Sequence, residues 1–256
     1  MADSPVSDDQ SRDSRALGAP ALDNVRDALE AGVQAYRRGD LADAKANAET
    51  ALRDLPNQPN ALHLLALVAD KSGAHDEAVR HLERALTATP NNVPFCNNLA
   101  TMYQAAGRKE EARATLETLI EEHPDYHDPH YDLARLIKEE GDLAAARDHF
   151  RLAIVHEPGF ADAYVNLVQA LLEMGAVEDA VKTAQKAAVA APASATVHAS
   201  LSAALLARGD FAGAAEAGCK SIATDPLPCE PNLTLGNALI ALGQLDAAFN
   251  PLHLAA

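Results

Sequence analysis

Residues 93–126 read VPFCNNLATMYQAAGRKEEARATLETLIEEHPDY, and this pattern recurs along most of the chain with a period of 34 residues. Its glycine is one of seven that are spaced by that period: Gly39, Gly73, Gly107, Gly141, Gly175, Gly209 and Gly243. An alanine follows each glycine after five residues, and a proline follows each of the first six after seventeen. A fixed period of this length predicts a stack of similar helical pairs, in which each repeat contacts only its neighbours.

The apolar residues inside each repeat have the spacing of two helices. Before the glycine they recur at repeat positions 4, 7, 8 and 11, which in residues 93–126 are Cys96, Leu99, Ala100 and Tyr103. After the glycine they recur at positions 20, 24 and 27, as in Ala146, Phe150 and Ala153. Spacings of three and four residues place them on one face of a helix. We therefore predict a helix A, a glycine turn and a helix B in each repeat, with the proline ending helix B.

The order of small, large and proline positions resembles the tetratricopeptide repeat family. The repeats would begin at Val25, Pro59, Val93, His127, Ala161, Ala195 and Cys229. The resemblance covers residues 22–256 and implies an all-α fold, an α-solenoid in which about seven repeats form a right-handed superhelix. In the sixth repeat Gly218 and Ser221 replace the usual large residue and alanine. We expect that helix B to pack less well, because glycine costs about 1 kcal/mol relative to alanine inside a helix.

The two ends of the chain depart from the repeat pattern. Residues 1–21 are rich in Ser, Asp and Pro, and we predict a disordered tail before an array over 22–256. The seventh repeat stops at position 28 and carries Pro251 inside its helix B. This ending indicates either a longer protein that continues beyond Ala256 or a poorly ordered last helix, and we favour the first.

Composition argues against several classes of partner and location. A formal net charge of −16 disfavours nucleic acid and anionic membrane surfaces, which bind Lys and Arg. Cys96, Cys219 and Cys229 form no paired motif, and the first 20 residues contain no apolar stretch of signal-peptide length. We therefore expect a cytoplasmic chain with a protein or peptide partner, no nucleic-acid partner and no membrane insertion. The oligomeric state stays open.

No motif in the sequence indicates catalysis. Nucleophile, nucleotide-binding and zinc-protease signatures are absent, so we predict a chain that is not an enzyme and has no cofactor. His123, His127 and His130 lie close together in the sequence and are residues of a type that binds zinc. His130 falls on a packing position, however, and His123 precedes the repeat proline, so we expect these side chains to diverge and to form no metal site.

In the tetratricopeptide family, helix A lines a concave groove through repeat positions 2, 5, 6, 9, 12 and 13. In repeats three to five these positions are polar, which suits an extended peptide because amide side chains both donate and accept hydrogen bonds. The predicted partner-binding residues are Asn97, Asn98, Thr101, Tyr131, Asp132, Arg135, Lys138, Asn166 and Gln169, with Asn98, Asp132, Arg135 and Asn166 as the central contacts. In repeats five to seven the same face turns apolar, and we predict a docking strip of Val165, Leu172, Leu206, Leu233 and Ile240.

The function that this pattern favours is a protein–protein interaction scaffold. The repeats also partly resemble those of bacterial O-linked N-acetylglucosamine transferase-like proteins, because Asn98 and Asn166 match an asparagine ladder at position 6. An alternative is therefore the substrate-recruiting region of a larger transferase. A third alternative, an assembly factor of the cell envelope or of a secretion system, is weakened by the absence of a signal-peptide pattern. The chaperone-tail clamp of the family is disfavoured, since Asp128 and Asp132 stand where that clamp has cations.

Overall fold

A computed structural model describes residues 19–225, 229–244 and 247–248, and within these ranges every regular element is an α-helix. The predicted tail over 1–21 lies outside the described residues except for its last three positions, which begin the first helix. The predicted end of the array around Pro251 lies outside them too. No described helix combines the length and apolarity that a membrane crossing requires.

The helices follow the predicted repeat boundaries. They are α1 (Ala19–Arg37), α2 (Leu41–Asp54), α3 (Pro59–Lys71), α4 (His75–Ala88), α5 (Val93–Ala105), α6 (Lys109–Glu122), α7 (His127–Glu139), α8 (Leu143–His156), α9 (Ala161–Glu173), α10 (Val177–Ala190), α11 (Ala195–Arg208), α12 (Phe211–Thr224) and α13 (Cys229–Ala241). Odd-numbered helices are the A helices of the repeats and even-numbered helices are the B helices. Six of the seven A helices begin at the predicted repeat start, and only α1 begins earlier.

The chain divides into two compact units, Met1–Glu122 and His123–Ala256. In the first unit, α1 packs on α2, α3 on α4 and α5 on α6, and the pairs stack through α2 on α3 and α4 on α5. The A helices α1 and α3 are also neighbours, as are α3 and α5. In the second unit the same order joins α7 to α13, with contacts between successive A helices. The all-α fold of stacked helical pairs is thus confirmed.

The periodic glycines turn the chain from helix A to helix B. All seven have a positive φ between 73° and 92°, a region in which a side chain is strained. At the end of α5, the Gly107 amide donates to the Gln104 carbonyl at 2.9 Å and the Arg108 amide donates to the Tyr103 carbonyl at 2.8 Å. These two bonds form a Schellman motif, in which a left-handed residue satisfies the last carbonyls of the helix.

The periodic prolines end the B helices, as predicted. Each of the first six B helices stops two residues before its proline; α6, for example, ends at Glu122 and Pro124 follows. The residue before a proline is disfavoured in the helical conformation, so the helix cannot reach the proline itself. Polar residues then cap some of the next A helices: Asn92 accepts a hydrogen bond from the Phe95 amide at 3.0 Å at the start of α5.

Small residues let the helices of a pair approach closely. The alanine five residues after each glycine is fully buried wherever helix B is fully described, at Ala44, Ala78, Ala112, Ala146, Ala180 and Ala214. Gly32 of α1 has the same role on helix A, since a Cβ there would lie 2.7 Å from Leu64 Cδ2 and 3.1 Å from Asn47 Cβ. Larger side chains such as Leu116 and Phe150 are fully buried, and the Phe150 ring packs against the Tyr131 ring of the same helical pair.

The sixth repeat accommodates its departures from the family pattern. A Cβ on Gly218 would lie 3.1 Å from the Cβ of Leu235 and 3.3 Å from Ser202 Oγ, so the glycine lets its neighbours approach α12. Ser221 is buried, and its hydroxyl donates to the Ala195 carbonyl at 2.9 Å. Glycine at position 218 still lowers the helix propensity of α12, but the predicted poorer packing is not seen there, because Leu235 and Ser202 lie close to the glycine.

Candidate protein-interaction surfaces

The first unit contains an open groove of about 860 Å³ between the A helices α1 and α3. We call it the α1–α3 groove. Its lining residues are Asp27, Leu29, Glu30, Ala31, Val33, Gln34, Tyr36, Arg37, Asn60, His63, Leu64 and Leu67. Most of them occupy the helix A positions that the family resemblance assigns to a groove. The site residues predicted from the sequence all lie in repeats three to seven, whereas this groove lies in repeats one and two.

The walls of the α1–α3 groove are mostly apolar. Leu29, Val33 and Tyr36 are spaced by four and three residues, so they lie on one face of α1. Leu64 and Leu67 line the groove from α3. Val33 is 38% exposed, whereas Leu64 is buried beneath the groove. An apolar wall that is open to solvent indicates a surface for another molecule.

Charged residues stand on the α1 side of the groove. Glu30 and Arg37 are both exposed. Glu30 interacts electrostatically with Arg26, one turn earlier on α1, whereas Arg37 makes no ion pair with any residue that the structure describes. Seven residues separate Glu30 and Arg37, which is about two turns or 10.5 Å along the helix axis, so they share a face. Asp27 lies one turn before Glu30 and pairs with its neighbour Arg26 at 3.2 Å. The groove is therefore acidic toward the start of α1 and basic at its end.

His63 connects the groove to α5. The Asn98 side-chain amide donates to His63 Nε2 at 2.8 Å, and the His63 ring lies 4.5 Å from the Phe95 ring. Burial lowers the pKa of His63, which favours the neutral ring. Because Nε2 accepts the Asn98 bond, the neutral ring carries its proton on Nδ1. Asn98, a predicted central contact, is thus already engaged within its own unit.

A similar bond links α7 and α9 in the second unit. The Asn166 side-chain amide donates to the Tyr131 hydroxyl at 3.2 Å and to the Asp162 carbonyl at 3.0 Å. In both units the asparagine at position 6 of one A helix reaches position 5 of the preceding A helix, 35 residues earlier. This hydrogen bond ties successive A helices together and fixes the side chain of each asparagine on the A-helix face.

The other predicted polar residues differ in how accessible they are. Thr101 and Gln169 are exposed, and the Thr101 hydroxyl donates to the Asn97 carbonyl at 3.2 Å. Asn97 is half-buried. Sequence reasoning placed all three on the A-helix face without indicating which of them solvent reaches.

The charged members of the predicted set are paired inside the second unit. Asp132 is only 8% exposed and lies 3.5 Å from the Arg135 guanidinium. Lys138 lies 3.8 Å from Glu173, and Arg135 stands 5.8 Å from the centre of the Tyr131 ring. A partner that used these residues would have to compete with the internal pairs.

The predicted apolar docking strip is only partly open. Val165 packs against the cluster of Tyr164, Ala187 and Val197 and is half-buried. Leu172 and Leu206 are also half-buried, whereas Ile240 is 45% exposed. The side chain of Leu233 lies outside the described residues. Helix packing within the second unit therefore covers part of the face that the sequence analysis expected to be free.

The histidines near the start of α7 have separate environments. His127 Nε2 lies 3.1 Å from Asp128, and its ring meets the Phe160 ring edge-on. His130 is buried; its Nε2 donates to the Pro124 carbonyl at 3.1 Å, and its Nδ1 lies 3.2 Å from His149 Nδ1. Burial lowers the pKa of His130. Among the described residues, no group of three or more His, Cys, Asp or Glu side chains is placed to hold a metal ion.

Comparison with protein families gives three matches, all described as tetratricopeptide repeat, over residues 29–93, 69–136 and 138–204. The chain belongs to the tetratricopeptide repeat family. Tetratricopeptide repeats generally mediate protein–protein interactions, and their all-helical fold is typically non-catalytic. A comparison with curated protein sequences finds no match.

Solved structures of other tetratricopeptide proteins share the fold. PilW, a type IV pilus biogenesis factor, is 19% identical, with a TM-score of 0.70 over 86% of this chain and 100% of its own. PilF of Pseudomonas aeruginosa is 17% identical, with a TM-score of 0.70 over 85% of this chain and 99% of its own. The Cut9–Hcn1 hetero-tetramer of the APC/C also matches at 17% identity and a TM-score of 0.70, over 86% of this chain and 44% of that one. At these identities the likeness concerns the fold alone.

Proposed function

We propose that this chain is a protein-interaction scaffold that holds a segment of a partner protein against the faces of its A helices. The observation that carries the proposal is the α1–α3 groove, whose apolar walls are open to solvent. A concave surface with mostly apolar walls and a few polar groups is a typical place for another molecule to bind. The formal net charge of −16 makes a partner surface that carries basic groups more favourable than a polyanion.

The polar A-helix residues are proposed as further contacts, each within its own unit. In the first unit these are Asn97, Asn98 and Thr101, and in the second they are Tyr131, Asp132, Arg135, Lys138, Asn166 and Gln169. Asn98 and Asn166 are oriented by hydrogen bonds to the preceding A helix and each retains acceptor capacity on its side-chain oxygen. The exposed Thr101 and Gln169 can contact a partner without breaking any such bond.

Site-specific cross-linking in living cells tests the proposal. A photoreactive amino acid replaces Gln34, which is exposed in the α1–α3 groove, and a second version carries it in place of Val155, an exposed residue of α8. We expect position 34 to capture one protein reproducibly, with cross-links that map to a single contiguous segment of it.

The groove is then altered without touching the cross-linker. Val33→Asp places a charge in the apolar wall, and capture from position 34 should fall strongly, because an unpaired carboxylate is costly to bury under a partner. The matched variant Val155→Asp, on a side chain that is 69% exposed, should leave capture unchanged. Equal capture from positions 34 and 155, or capture that survives Val33→Asp, would contradict a binding function for the groove.

A further inference from the structure

The chemistry of the α1–α3 groove favours a helical occupant over an extended one. An extended segment must find hydrogen-bond partners for its backbone amides and carbonyls. The groove offers few neutral polar side chains, namely Gln34, Tyr36, Asn60 and His63, and the Nε2 acceptor of His63 is already taken by Asn98. A helix satisfies its own backbone hydrogen bonds and needs only apolar contact along one face.

The spacing of the apolar side chains also matches a helix. Leu29, Val33 and Tyr36 lie along α1 with a spacing of seven residues from the first to the last, which is about 10.5 Å along the helix axis. Leu67 supplies the facing ridge from α3, and Leu64 is buried beneath the groove. A third helix whose apolar residues recur at i, i+3 or i+4, and i+7 has the same length of apolar stripe and can pack into the trough between two such ridges.

The charges on α1 add a second requirement. Glu30 and Arg37 both line the groove, are exposed and stand about 10.5 Å apart on one face of α1, and Arg26 lies one turn before Glu30 and interacts with it electrostatically. Asp27 stands at the Glu30 end of this face and is paired with Arg26, while Arg37 marks the positive end. A complementary surface therefore carries a cation near Glu30 and an anion about two turns away, beside Arg37.

From this trough and its two opposite charges we propose that the groove binds an amphipathic helix of a partner protein that carries a basic and an acidic residue about two turns apart beside its apolar stripe. This inference rests on the proposed function and names the chemistry of the partner. The partner helix can lie parallel or antiparallel to α1. Either order of the basic and acidic residues along the partner sequence therefore places the basic residue near Glu30 and the acidic residue near Arg37.

Isothermal titration with designed peptides on the full chain tests this assignment. The probe is a helical peptide of about 18 residues, long enough to fold in part alone, with leucines at i, i+3, i+7 and i+10 and a Lys/Glu pair seven residues apart. A Lys/Lys version keeps the stripe and also keeps the net charge, because one lysine on its opposite, solvent-facing side is replaced by glutamate. A third peptide has the same composition as the probe but contains prolines that prevent a helix.

We expect the Lys/Glu peptide to bind the unmodified chain about threefold more tightly than the Lys/Lys peptide, since only the Lys/Glu peptide can form the exposed ion pair with Arg37. With Arg37→Glu the order should reverse, because Lys/Lys now finds two acidic partners. Val33→Asp should weaken the Lys/Glu peptide by at least about tenfold, and the matched Val155→Asp should not change its affinity.

Three results would overturn the inference. The first is equal affinity of the Lys/Glu and Lys/Lys peptides on both proteins, and the second is an unchanged affinity with Val33→Asp. The third is that the proline-containing peptide binds more tightly than the other two. If Val33→Asp abolishes the binding of that peptide, the groove still holds a partner segment, and only the assignment of a helical partner is wrong. Failure of the proposed scaffold function would be seen in a different experiment, as equal cross-linking from positions 34 and 155.

Discussion

Replacing Gly107 by alanine should destabilise the first unit by about 1 kcal/mol. Gly107 has φ = 76°, and a Cβ built on it has no atom within 4 Å, so the whole effect is conformational and none of it is steric. A left-handed alanine costs about 1–2 kcal/mol. Alanine also restricts the unfolded chain, which offsets about 0.4–1 kcal/mol of that cost. Gly107→Asn should cost clearly less, because asparagine tolerates the left-handed region.

Urea denaturation followed by far-ultraviolet circular dichroism measures these differences. Gly159→Ala is the matched control: Gly159 lies in a loop, has no positive φ and would bring its Cβ within 3.1 Å only of the flexible end of the Glu157 side chain. The control should stay within about 0.5 kcal/mol of the unmodified chain. If Gly107→Ala is as stable as Gly159→Ala, or if Gly107→Asn is as unstable as Gly107→Ala, the left-handed turn is not the reason for the glycine ladder.

Three other predictions concern packing, hydrogen bonding and pH. Phe150→Ala should lower the free energy of unfolding by about 3–5 kcal/mol because its ring is fully buried, whereas Phe211→Ala, on a ring 37% exposed, should cost under half as much; equal losses would contradict the packing. Asn98→Ala should cost about 1 kcal/mol through the lost bond to His63, and a neutral result would show that this bond does not tie the helices. Burial lowers the pKa of His130, so the folded state favours the neutral ring. The free energy of unfolding should therefore keep its full value above about pH 6.5, the ordinary pKa of histidine, and should decrease as the pH falls below it. His130→Gln should reduce this decrease between pH 7.5 and 5 in the same urea assay, and an unchanged pH dependence would refute the role of His130.

The repeat period predicted the fold in detail because local chemistry decides each boundary. A left-handed glycine ends helix A, and a proline prevents helix B from continuing, so six A helices begin at the predicted residue. The first is different: α1 begins at Ala19 instead of Val25, since no preceding repeat supplies a proline to set its start.

The candidate site was less predictable, because side chains 35 residues apart determine it. The sequence places Asn98 and Asn166 on the A-helix face but does not reveal that each is bonded to the preceding A helix. It likewise does not reveal that Asp132 is buried beside Arg135. An Asn98→Ala and Asn166→Ala double variant would therefore change the scaffold as well as any partner contact.

The α1–α3 groove could have been found from the sequence. Leu29, Val33 and Tyr36 occupy groove positions 5, 9 and 12 of the first repeat, and Leu67 occupies position 9 of the second. The apolar character of these positions was the available signal. What the sequence could not supply is the width of the trough between α1 and α3, which depends on how closely Gly32 allows the helices to approach.

Methyl nuclear magnetic resonance during titration with the Lys/Glu peptide is the sharpest test of partner binding in the α1–α3 groove. We expect the methyl signals of Leu29, Val33 and Leu67 to shift together and saturate. The signals of Val155 and Val189, which are 69% and 83% exposed outside the groove, should not move. Shifts confined to Val155 and Val189, or no shift at the three groove residues at saturating peptide, would contradict binding in this groove.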